Sequence, residues 1–70
     1  YKAMTNYKIY FEVAVEGLIN CFNNFDEAKD EYDILKQCGF HEVTLRRVEI
    51  IGGDTYIVVW NSKSHCFFPI

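Results

Sequence analysis

No stretch of this chain is apolar for the twenty or so residues that cross a bilayer, and none reads as a signal peptide. The expectation is a soluble cytoplasmic protein with no membrane partner. There is no Gly-rich phosphate loop: Gly52-Gly53 is the sole glycine pair and reads as a hairpin turn. RNP-type strings are missing, and a formal charge of −3 argues against a general duplex-DNA binder, whose affinity comes from neutralising phosphates. Cys21, Cys38 and Cys66 are odd in number and lack metal-type pairing, so they are expected to be reduced thiols. Cys38, His41, His65 and Cys66 have ligand-type side chains. Their spacings match no standard zinc pattern, and a small buried thiol at a helix end with two surface histidines is the simpler reading. A Cys38–His41 nucleophilic pair would place its thiol at a helix C-terminus, where the dipole disfavours a thiolate. The chain is therefore expected to be non-enzymatic, with no catalytic residue, metal or cofactor. With no internal repeat and no low-complexity segment, residues 1–70 read as one domain.

What is present begins with one helix. Asn24 is placed to cap it, with Glu27 three residues on to complete a capping-box-like pair, and Gly39 is placed to close it in the left-handed conformation. Between them Phe25, Ala28, Tyr32 and Leu35 form one apolar stripe at three-and-four spacing. Asp26, Asp30 and Asp33 fall opposite Tyr32 and Leu35, as a solvated face whose acids also complement the helix dipole.

Tyr7 to Val15 alternates as a strand with one buried face, Glu16-Gly17 is a turn, and Leu18 to Phe22 suits a short returning strand. A further strand runs from about Glu42 to Ile51. Its apolar parity changes between Val43/Leu45 and Val48/Ile50, which predicts a β-bulge at Arg46-Arg47. The last strand, Thr55 to Asn61, is apolar on both faces. The tail, 62–70, ends in Cys66-Phe67-Phe68-Pro69-Ile70 and is expected to pack back on the domain or on a second copy. Tyr1-Lys2-Ala3 precede Met4 and are expected to be extraneous to a natural chain starting at Met4, of a size typical of phage or mobile-element products.

These elements predict an α+β fold with two layers, an antiparallel sheet of three or four strands with one helix on one face, in the order β-(β)-α-β-β. If Ile9, Phe11, Val13, Ile57 and Val59 face the helix, then Tyr10, Tyr56, Val58 and Trp60 face away, with Lys8 and one of Arg46 or Arg47 beside them. Aromatic and arginine side chains are the usual anchors of protein interfaces. The expected partner-binding residues are Tyr10, Tyr56, Trp60, Arg46, Arg47 and the helix acids Asp26, Asp30 and Asp33. The acids also suit imitation of phosphate spacing against a basic groove. A homodimer is expected from the apolar surface left open. The alternative is a single-stranded nucleic-acid or nucleotide binder stacking bases on the open sheet face.

The strand YKIYFEVAVEG, the helix FDEAKDEYDILKQCGF and the hairpin VTLRRVEIIGGDTYIVVW together resemble small phage-encoded anti-defence proteins of the anti-CRISPR kind. The resemblance covers most of the chain and rests on length and element order. It implies a βαββ inhibitor or regulator that occupies a surface on a larger host protein. It transfers no individual functional residue.

Overall fold

A computed structural model describes residues 7–69 of the protein. The expected start at Met4 lies outside the described residues. The elements run β1 (Tyr7–Val15), β2 (Leu18–Phe22), α1 (Phe25–Gln37), β3 (Val43–Ile51), β4 (Asp54–Asn61) and β5 (Cys66–Pro69). All five strands join one open antiparallel sheet in the order β2-β1-β3-β4-β5, with α1 packed on it.

Local chemistry explains the elements. Glu16 and Gly17, at φ 52° and 82°, and Gly52 and Gly53, at φ 58° and 91°, make two-residue turns with both central residues left-handed. Such turns match the right-handed twist of the strands they join. Asn24 caps α1 by accepting from the Glu27 N–H at 2.9 Å. At the other end Gly39, at φ 100°, donates to Lys36 O, and Phe40 donates to Leu35 O at 3.2 Å. That pair of bonds is the Schellman closure, and it needs the conformation glycine supplies most cheaply.

Two expectations are corrected. The strand count is five, because the tail supplies β5. Asn61 turns the chain by accepting from the N–H groups of Lys63 and Ser64 on its side chain, while His65 donates to Asn61 O. β5 then pairs with β4, Phe67 opposite Trp60 and Phe68 opposite Val59. Nor is there a bulge at Arg46-Arg47. The β1–β3 register runs unbroken from Tyr7 opposite Ile51 to Val15 opposite Val43.

Without the bulge, β3 keeps one parity. Val43, Leu45, Arg47, Glu49 and Ile51 share the face that carries α1, and Thr44, Arg46, Val48 and Ile50 share the back. Register through the Gly52-Gly53 turn then sets β4: Val58 lies beside Arg47 and Tyr56 beside Glu49, on the helix side. Ile57 and Val59 lie on the back. The core is Phe11, Val13, Val43 and Leu45 of the sheet beneath Ala28 and Tyr32 of the helix.

Candidate functional site

A thirteen-residue helix is about 20 Å long at 1.5 Å per residue. A nine-residue strand is roughly 30 Å long at 3.3 Å per residue. α1 therefore covers one half of the sheet and stops. On the same face, beyond its N-terminus, Tyr7, Ile9, Ile51 and Tyr56 are exposed.

Where cover ends there is a groove of about 620 Å³. Arg47 and Phe11 form its floor. Phe25, the first residue of α1, stands over it, and Trp60 and Phe67 form the wall. The rings pack edge to face, Trp60 to Phe67 at 5.2 Å and Phe11 to Phe25 at 5.9 Å between centroids. The Arg47 guanidinium lies 5.4 Å from the Phe67 ring centre, within cation–π range. Its Nη2 leans on Glu49 at a long 3.7 Å, and its Nε finds no acceptor among the described residues. Glu49 also accepts from the Tyr7 hydroxyl at 3.1 Å. That bond holds the Tyr7 phenol above its ordinary pKa, because a phenolate would lose the donation and face a carboxylate. Arg47 thus offers a half-buried, under-used donor set in an aromatic setting, a combination that suits an aromatic or acceptor-bearing side chain of another molecule.

The eight expected partner-binding residues fall in three places. Trp60 and Arg47 line the groove, and Tyr56 lies farther out on the same face. Trp60, expected on the open back, is instead half-buried against Phe25, with Lys29 Nζ 5.8 Å from its ring centre. Val58, which shares its parity, moves with it. Tyr10 and Arg46 are on the back. There Arg46 pairs with Glu12 at 3.1 Å, and Lys8 lies 5.7 Å from the Tyr10 ring centre. Val48 is buried on that back face between its cross-strand neighbours Tyr10 and Ile57. Asp26 and Asp30 are exposed on the outer side of α1, while Asp33 is held by Lys29 at 2.8 Å. That ion pair weakens the acidic field expected to imitate phosphates.

Among the described residues the open back consequently has two aromatics, Tyr10 and Phe68, and not the platform of Tyr10, Tyr56 and Trp60. Of the groove lining only Arg47 and Trp60 are among the expected partner-binding residues; Phe11, Phe25 and Phe67 are its aromatic side chains outside that set. Phe25 belongs to the apolar stripe of the helix, and Phe67 lies in the tail whose partner the sequence leaves open. Asn61-Ser62-Lys63-Ser64, a cluster of turn formers, was the available signal for β5.

Cys21, Cys38 and Cys66 are all free and exposed, so Cys38 is not the buried thiol expected at the helix end. Among the described residues no three His, Cys, Asp or Glu side chains come together as a metal site, and no helix is long and apolar enough to cross a membrane. Compared with protein-family models, characterised proteins and solved structures, the chain gives no match.

Proposed function

We propose that the protein is a small non-enzymatic binding module that acts by occupying a surface on a larger protein, with the groove and the uncovered end of the sheet as its contact surface. The resemblance in architecture points to a host defence or regulatory factor as the partner. One observation carries the reading: Arg47 lies half-buried and under-bonded among Trp60, Phe25 and Phe67, beside apolar side chains left in water by the short helix. Aromatic anchors with an arginine, rimmed by polar groups, are where interface energy concentrates.

The test is capture from host cytosol by the tagged chain. Trp60→Ala and Arg47→Ala are expected to abolish capture of a partner that wild type retains, with unchanged circular dichroism. Asp26→Asn, Asp30→Asn and Asp33→Asn together are expected to leave capture intact. The reverse outcome assigns recognition to the acidic helix face.

A second reading draws on the same groove. A guanidinium beside a cluster of aromatic rings also suits one nucleobase and its phosphate. A gel shift with short oligonucleotides at low salt separates the two, since this reading requires a shift that Arg47→Ala removes.

A further inference from the structure

Among the described residues β2 and β5 are the outer strands of the sheet, and they are unequal. β5 is four residues long and carries Pro69, which blunts an edge. β2 reads Leu-Ile-Asn-Cys-Phe, with no charge and no proline, and its pairing with β1 contains no bulge. Edge strands are normally protected by such features. Leu18 and Ile19, on opposite faces of this edge, are 70% and 54% exposed.

The Glu16-Gly17 turn determines which backbone groups are spare. A two-residue turn with both residues left-handed closes on a hydrogen-bonded pair, here Val15 with Leu18. The hydrogen-bonded and open pairs then alternate along the hairpin. Leu18, Asn20 and Phe22 aim their N–H and C=O groups at β1, while Ile19 and Cys21 aim theirs outward.

We infer that β2 is the site at which a second copy of this chain adds its own β2, antiparallel, to make a continuous ten-stranded sheet. The edge is self-complementary. A twofold axis through Asn20 pairs all five residues, sets Ile19 against Cys21 of the partner subunit, and lets each such pair exchange both backbone bonds. Neither strand brings a charge to the axis, so nothing repels. Leu18 on the helix side and Ile19 on the back are covered in the same step. Other registers along a five-residue edge leave outward groups or exposed apolar side chains unmatched. This surface is separate from the groove, so both can be occupied at once.

Light scattering on the full chain tests the inference. Wild type is expected near twice 8.2 kDa at high concentration. Cys21→Pro deletes an outward N–H and leaves every β1–β2 bond in place, and Ile19→Lys puts a charge on the edge. Both are expected to run near 8.2 kDa with unchanged circular dichroism. Ile57→Asp, on the back face, is expected to stay dimeric. Hydrogen exchange adds a readout that survives poor folding of a variant: in wild type the Ile19 and Cys21 amides lose protection on dilution, while those of Leu18 and Asn20 keep it. A monomeric wild type at millimolar concentration, or a dimer lost in Ile57→Asp but kept in Cys21→Pro and Ile19→Lys, overturns the proposal.

Discussion

Val13 and Leu45 lie side by side on the helix face of β1 and β3 and are almost wholly out of water. Six residues back along β1 and six forward along β3, Tyr7 and Ile51 lie side by side on the same face, 59% and 42% exposed. The strands, the alternation and the pairing are alike, and the difference is the helix. Side-chain alternation determines which way a residue points, but burial requires something above it. α1 begins at Phe25, and the chemistry at that boundary changes from closed aliphatic packing to aromatic rings around a guanidinium. The covered end supplies stability and the bare end supplies surface.

The largest expected effect breaks this contrast directly. Leu45→Ala should cost about 3 kcal/mol, the usual range for a buried leucine, out of the roughly 5 kcal/mol a domain this small commands. Ile51→Ala removes a side chain of like size and should cost under about 1 kcal/mol, because much of it is already hydrated. Urea unfolding of the pair checks both, and equal costs would mean that the bare end is covered in solution. Next, Asn24→Ala removes the acceptor for the Glu27 N–H and should cost about 1 kcal/mol by the same measurement. That loss should loosen the helix start over the groove and shift Trp60 fluorescence to the red.

The smallest effect concerns Tyr7. A raised native pKa means that the Tyr7–Glu49 bond supports the fold below pH about 10, the unfolded value, and is lost as pH rises through the native one. Spectrophotometric titration of the phenols should show a component above the ordinary tyrosine value that Tyr7→Phe removes. Because the bond is exposed and screened by solvent, its support is too small for Tyr7→Phe to move the unfolding midpoint measurably at neutral pH, and the phenol titration is the readout.

Much of the fold was legible because it is written in local chemistry. Asn24 and Gly39 mark the helix ends, Glu16-Gly17 and Gly52-Gly53 mark the turns, and Tyr7 to Val15 alternates with one face apolar. The site was less legible, because Phe67 lies in a tail with no local signal for its partner and the face of β4 depends on its pairing with β3. The change of apolar parity between Val43/Leu45 and Val48/Ile50 predicts a bulge at Arg46-Arg47, and the unbroken β1–β3 register shows none. The separate expectation that Ile57 and Val59 face the helix, with Trp60 on the back, is compatible only with such a bulge, because a bulge swaps faces. The two-residue turn couples the parity of β4 to that of Val43 and Leu45 and sets Tyr56, Val58 and Trp60 on the helix side. β4 alone could not decide, because Ile57 and Val59 are as apolar as the residues between them.

The amino-acid order by itself determined the turns at Glu16-Gly17 and Gly52-Gly53, where the helix starts and stops, and that the stretches of β1 to β4 extend. Each of these depends on a few neighbouring residues and their backbone preferences. Tertiary structure alone decided which side of β4 meets the helix, that Phe67 returns to stand beside Trp60, and that Arg47 is left among rings with few acceptors. Those outcomes depend on register between strands distant in sequence and on the helix being shorter than the sheet beneath it.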